Sequence, residues 1–370
     1  MIYRLLLAYR TLGKTFGMWV QPLFTGWMFL NLRINVAIGM ALDPLFFPKL
    51  RTTDVKRPIV IVGNPRSGTT FLQRFLVDNG FGAGTRLWHE LVPSLSLQKL
   101  LNPFIPILEK VSPARHHSAS VHKTSLVSVE TDDPALFFRF FDGFFLFGFI
   151  ASHAEEDMMD YFDPNKRDFS ARDFAYIRQV WRRNLVSWNR DRVVSKLFSL
   201  GPRINPFVAE FPDARLLYML RDPLSMVPSG MSLVTGVQEQ AFGFSKLPKE
   251  QQQRCIERLY QGFLQIARLF HDDWVSGKLP KENIMLVHFD RMMSDFDGLM
   301  DELLPFVGHE ASPELMATIK ATAEKQRAFS SKHKYSLSQY GLTRERIVED
   351  YAFFYETFGI TPAELPPEAL

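Results

Sequence analysis

A single cysteine, Cys255, occurs among the 370 residues. No intramolecular disulfide can therefore hold the fold, which suits a reducing compartment or a protein indifferent to redox state. Neither sign of charge is in excess: 43 Lys and Arg against 40 Asp and Glu leave +3. Without a basic run, nucleic acid is not an expected partner, and the sequence pI of 8.8 accommodates only a local anion site. Metal-ligand spacing is missing as well. His116, His117 and His122 lie in a polar stretch with no cysteine or carboxylate at ligand distance in sequence, which reads as loop or surface. Phenylalanine is plentiful instead, with 34 copies. Many fall in Leu136-Phe-Phe-Arg-Phe-Phe-Asp-Gly-Phe-Phe-Leu-Phe-Gly-Phe-Ile150, expected to be a buried core helix, with the wall of an apolar cleft as the alternative. A chain this long and 46% hydrophobic can form one large α/β domain with insertions and does not require a second.

One further absence is local and decides chemistry. Residues 63–70 read Gly-Asn-Pro-Arg-Ser-Gly-Thr-Thr, the frame of a phosphate-binding loop with Thr69 where lysine is usual. Pro58-Ile-Val-Ile-Val62 before it has the look of a buried strand, and a helix is expected from 69 to about 79. Backbone N–H groups in such a turn, with the positive end of the helix behind them, make an anion site. Without the lysine, nucleoside triphosphate hydrolysis is disfavoured; the positive charge has moved to Arg66. A second strand run, Ala214-Arg-Leu-Leu-Tyr-Met-Leu220, leads into Arg221-Asp-Pro-Leu-Ser-Met-Val-Pro-Ser229. An arginine at a strand's carboxyl end and a serine in the next helix can converge on one phosphate. Either turn has a plainer use: tight packing for the first, and Asp222 capping with Pro223 at the first helical position for the second.

Pro65-Arg-Ser-Gly-Thr-Thr70 resembles the 5′-phosphosulfate loop of the sulfotransferases that use 3′-phosphoadenosine 5′-phosphosulfate (PAPS), and the Arg221 to Ser229 segment resembles their 3′-phosphate motif. Trp88-His-Glu-Leu-Val-Pro93, Glu130-Thr-Asp-Asp-Pro-Ala-Leu136 and His333-Lys-Tyr-Ser-Leu-Ser-Gln-Tyr-Gly-Leu342 are similar to segments of the branch holding many bacterial and, more distantly, tyrosylprotein sulfotransferases. The resemblance runs from about 58 to 350 and leaves residues 1 to about 50 outside it. It implies PAPS as cosubstrate, no metal, and a hydroxylated acceptor. Arg66 is then expected on the 5′-phosphate and bridging oxygen, with Ser67, Gly68, Thr69 and Thr70 giving backbone and hydroxyl donors. Arg221 and Ser229 would hold the 3′-phosphate, Lys196 at the end of a strand would help hold the nucleotide, and Lys332 or Lys334 would close over it. The base for the acceptor hydroxyl is expected to be Glu90, with His89 second and Glu130, Asp132 and Asp133 as fallbacks. Two other readings stand beside this one: a P-loop kinase using ATP and magnesium, and an inactive membrane-bound nucleotide-binding protein.

The expected architecture is a P-loop-type parallel sheet flanked by helices, with strands at 58–63, 192–197, 215–220 and 283–289 and a large helical insertion at about 90–190. Residues 1–50 form a separate apolar segment and 51–370 the sulfotransferase domain. Thr15 to Leu32 carries no charge; as a helix it would reach about 27 Å, just short of a hydrocarbon core. Trp19, Trp27 and the flanking cations favour an interfacial, monotopic helix on the cytoplasmic face of a membrane and hence a lipid or other hydrophobic alcohol as acceptor. The alternative is a soluble cytoplasmic protein in which this segment packs on the catalytic domain or forms a dimer interface.

Overall fold

The structure, a computed structural model, describes residues 1–111, 125–161, 163–328 and 336–364. Four parallel strands, β1 (Ile59–Val62), β2 (Val194–Lys196), β3 (Arg215–Leu220) and β4 (Ile284–His288), form a sheet in the order β2-β1-β3-β4. Ile59 pairs with Val194 on one side and Arg215 on the other, and Leu216 pairs with Ile284. The β-branched run of β1 is buried at every position, as a strand covered on both faces must be. Its side chains alternate between two cores. Val60, Val62, Leu216, Tyr218 and Leu220 face Trp181, Phe207 and Phe270, while Ile59, Ile61, Leu217 and Met219 face Leu72, Leu76 and Phe296. The parallel α/β architecture expected from the strand runs is therefore the one present, each strand shortened by a residue or more except β3.

The insertion is less continuous than its composition suggested. It breaks into helices Leu87–Leu91, Leu95–Leu101, Ile105–Val111, Asp133–Phe140 and Phe144–Phe149, and only Ser170–Trp188 is long. In the phenylalanine run the break falls at Phe141, with φ 50, and Gly143, with φ 79. Asp142 stabilises it, accepting from the Gly143 amide at 2.8 Å and pairing with Arg4, Arg167 and Arg172. Leu146 and Phe147 are core residues, but Phe137, Phe138, Phe140 and Phe144 are only half-buried.

The apolar amino-terminal stretch is two helices, not the single run from 15 to 32. Helix α1 (Ile2–Phe16) ends at Gly17, whose φ of 68 is the left-handed stop. Helix α2 (Gln21–Phe46) starts with Pro22 in its first turn, a position where proline's missing N–H costs nothing, and runs on through Arg33. Both helices are tied to the body. Arg4 and Arg33 donate to the carbonyls of Phe141 and Phe138 at the end of helix Asp133–Phe140. Asp43, fully buried, accepts from Ser94 Oγ, the Leu95 and Ser96 amides, Ser96 Oγ and Arg183 Nε at 2.7 to 3.1 Å. The opposite face of α2 is exposed, with Leu23, Phe24, Trp27, Met28, Ile34 and Ile38 uncovered.

Candidate active site

All the nucleotide-loop candidates collect at the carboxyl ends of β1, β2 and β3, where open α/β sheets hold ligands. The turn after β1 needs its glycines. Gly63 has φ 129 and any Cβ there would lie 2.7 Å from the Met219 carbonyl on β3; Gly68 has φ 81 and a Cβ would strike Met292. Helix Thr69–Asp78 begins with no side chain capping it, so its first N–H groups are available to an anion. Ser67 and Thr69 are buried within the turn, as is Asn64, whose Oδ1 has no hydrogen-bond partner.

Lys196 ends β2. Its ammonium is buried and donates to Thr70 Oγ1 at 2.9 Å, which brings two residues 126 positions apart onto one point. Burial, with Arg74 adding like charge, lowers its pKa to about 8 against the pull of Glu130, Asp133 and Asp132. A buried cation in that condition gains from a nearby anion.

Arg66 adopts φ 72, and its Nε donates to Ser229 Oγ at 3.0 Å. Arg221 donates to the Arg66 carbonyl and stacks 4.1 Å from the Phe289 ring centroid. The two phosphate motifs are thus joined. The guanidinium assigned from sequence to the 5′ end is turned toward the serine of the 3′ motif, and Lys196 with Thr70 occupies the strand-end position opposite. The reason is topological: β1 and β3 are neighbours, so their loops abut. Asp222 caps helix Pro223–Phe242 through the Leu224 amide, and its carboxylate also takes Tyr355 Oη and the Ala363 amide. The capping role is structural.

Glu90 lies in helix Leu87–Leu91 and is 1% exposed. Its Oε2 accepts from the Ala135 amide at 3.1 Å, and Oε1 has no partner. Burial and the neighbouring Asp132 and Asp133 push its carboxyl well above the ordinary glutamate range. His89 is also buried; its pKa is lowered to about 3 by burial and by Arg86, and its ring packs edge-on against Trp88. So weak a base suits a packing role better than proton transfer. The fallback carboxylates are spoken for in part. Glu130 pairs with Arg74 at 2.8 Å, and Asp133 accepts from Thr131 Oγ1 and the Phe198 and Ser199 amides. Lys332 and Lys334 lie outside the described residues, as do His116, His117 and His122. Among the described residues no group of three or more His, Cys, Asp or Glu is placed to hold a metal.

The sequence model of the sulfotransferase family matches residues 58–313, a span that takes in both phosphate motifs, Lys196 and Glu90. The chain belongs to the sulfotransferase family. It is a PAPS-dependent enzyme of that family, and the hydroxylated acceptor and PAPS cosubstrate follow from the membership. Two solved structures share the fold. Sulfotransferase STF1 of Mycobacterium tuberculosis H37Rv is 20% identical with a TM-score of 0.68, over 95% of this chain and 90% of that one. Sulfotransferase STF9 of Mycobacterium avium is 19% identical with a TM-score of 0.63, over 87% and 82%. No protein of curated function matches the sequence.

Sequence reasoning missed several residues that shape this sulfotransferase's site. Thr131 Oγ1 and the Asp132 amide both donate to the Lys196 carbonyl, at 3.0 and 2.8 Å, so the strand bearing the lysine also carries the turn that faces Glu90. Gln73 of the loop helix reaches the Glu130 carbonyl at 3.0 Å. Asp43 had a signal, being the sole acid in the first 50 residues and set in an otherwise apolar stretch; an isolated carboxylate in such a place is expected to be bonded.

Proposed function

We propose that this sulfotransferase moves the sulfuryl group of PAPS to the hydroxyl of a lipid or other hydrophobic alcohol presented at an anionic membrane surface, with Glu90 on the acceptor's proton. The observation that carries the reading is the course of α2. Its outer side presents Leu23, Phe24 and Trp27 to solvent, and its inner side contributes Phe29, Leu32 and Val36 to a narrow cleft whose wall includes Glu90 and Phe138. A contiguous exposed apolar surface of this kind marks an interaction site. Leu100, Phe104 and Ile107, on the segment packed beside α2, extend it. Residues 1–52 carry Arg4, Arg10, Lys14, Arg33, Lys49 and Arg51 against the single acid Asp43; Arg4 and Lys14 are paired with Asp142 and Glu155, and the exposed Arg10, Lys49 and Arg51 are the cations that suit anionic headgroups. An interfacial position on the cytoplasmic leaflet follows. Helix α2 is long and apolar enough to cross a membrane by composition, but its buried Asp43 and the bonds of Arg33 hold it to the body.

For the cosubstrate, Arg221 and Ser229 face the 3′-phosphate, with Arg66 at the junction of the two motifs. The turn from Ser67 to Thr70, with Lys196, faces the 5′-phosphosulfate. Sulfuryl transfer passes through a loose transition state, so alignment and charge on the departing phosphate dominate. The buried ammonium of Lys196 is the group best suited to receive that charge. In vesicle cosedimentation the full chain should bind anionic vesicles, and Leu23→Asp with Trp27→Asp should release it, since neither exposed side chain supports the fold. Full retention of the variant on vesicles, with a water-soluble acceptor preferred, would overturn the lipid reading.

A further inference from the structure

We infer that Asp132 and Glu90 hold one proton between them, and that this buried pair, not Glu90 alone, takes up the acceptor's proton. The inference rests on the reading that Glu90 serves the acceptor. Both side chains are shut off from water. Glu90 places Oε2 on the Ala135 amide, and Asp132 places Oδ2 on Ser195 Oγ. The other oxygen of each, Oε1 and Oδ1, has no donor, and Asp132 is the side chain that acts most strongly on Glu90. Two bare carboxylates cannot sit this way; one proton between them satisfies both lone oxygens. Both carboxyls are also pushed upward, chiefly by burial. The surroundings do not supply a competing cation at contact: Lys196 Nζ is on Thr70, and Asp133 is taken by Thr131 and two amides. Tyr176, raised to about 12, stays neutral.

This arrangement resolves a difficulty. A glutamate so deeply buried would be protonated by itself and useless as a base. The singly protonated pair carries one negative charge and can accept a second proton. As the acceptor oxygen bonds to sulfur and the bond from sulfur to the 5′-phosphate oxygen breaks, its electrons leave on that phosphate. The acceptor's proton passes to the Glu90 carboxyl, the shared proton moves onto Asp132, and the pair becomes neutral until it discharges to solvent. Asp132 is thus a positioning residue acting through Glu90, and its protons belong to the pair.

Infrared spectroscopy of the full-length protein at neutral pH tests this. A protonated-carboxyl band should be present, lost in Glu90→Gln, where the amide donates to the Asp132 carboxylate, and shifted in Asp132→Asn, where the proton stays on the buried Glu90 but loses its carboxylate acceptor. Binding of adenosine 3′,5′-bisphosphate at unchanged affinity certifies the fold of each variant. Persistence of the band in Glu90→Gln, or an unmoved band in Asp132→Asn, overturns the sharing. Where Asp132→Asn does not fold, Ser195→Ala serves: stripped of its hydroxyl donor, Asp132 draws the proton and the band moves, whereas an unmoved band contradicts the pair. Failure of the proposed function has a different signature, unimpaired turnover in Glu90→Gln.

Discussion

The nucleotide side and the amino-terminal side of this molecule are built by opposite means. At the strand ends the functional groups come from two short segments, 63–70 and 221–229, each a turn between a buried strand and a helix, and their neighbours in space are set by strand order. At the amino-terminal side nothing local announces the arrangement. Arg4, Arg33 and Asp43 act across 50 to 140 residues of sequence: the two arginines hold helices outside the family match against the helix that positions Glu90, and Asp43 ties α2 to residues 94–96 and Arg183. The first region is specified by motif and the second by packing. The shared PAPS cosubstrate suits the first.

Substitutions divide along the same line. The largest effect is expected from Glu90→Gln, where the two regions meet: turnover should fall by about two to four powers of ten with nucleotide affinity nearly unchanged. Steady-state rates alongside calorimetry with adenosine 3′,5′-bisphosphate check it, and a parallel loss of affinity would assign Glu90 to the nucleotide side. Next is Lys196→Met, expected to lower kcat/KM by about two powers of ten, the scale of losing one preorganised charge at the departing group. Its pH dependence sharpens the test. The lysine works when protonated, so kcat/KM of the parent should decline as pH rises through about 8, and the variant should lack that decline.

A smaller loss should follow Arg221→Ala, which removes a charged donor worth about 1.5 to 3 kcal/mol, roughly ten- to a hundredfold in affinity for the 3′-phosphorylated nucleotide. The nucleotide lacking that phosphate should bind parent and variant alike. Equal loss for both ligands would mean that Arg221 only braces the Arg66 carbonyl. Smallest at the active site, and confined to the other region, is Asp43→Asn. The buried Arg183 then loses its counter-charge, and stability should drop by about 3 to 5 kcal/mol in denaturant titration, with the KM for PAPS unmoved.

How far the sequence could be read follows from this division. The strands were legible because buried parallel strands are continuous apolar runs, the first phosphate turn because only glycine fits at Gly63 and Gly68, and the second because a strand run ends in Arg221-Asp-Pro223. The contact between Arg66 and Ser229 was not, since it depends on β1 lying beside β3. The Lys196 to Thr70 bond was invisible likewise, since it depends on β1 lying beside β2. In the insertion, the density of phenylalanine hid the turn signal of Asp142-Gly143, which tertiary arginines convert into a chain break. The uncharged stretch from Thr15 to Leu32 looked like one helix because charge, not Gly17 and Pro22, set its limits. Glu90 could be picked out by position, but its pairing with Asp132 needed the fold.

The most direct test is transfer of radiolabelled sulfuryl from PAPS by the full-length protein to a long-chain alcohol embedded in anionic vesicles, measured against a short water-soluble alcohol. The account predicts faster turnover of the embedded alcohol, an advantage that Leu23→Asp with Trp27→Asp abolishes while leaving the rate on the soluble alcohol intact. Preference for the soluble acceptor, or an advantage that survives those substitutions, would contradict it.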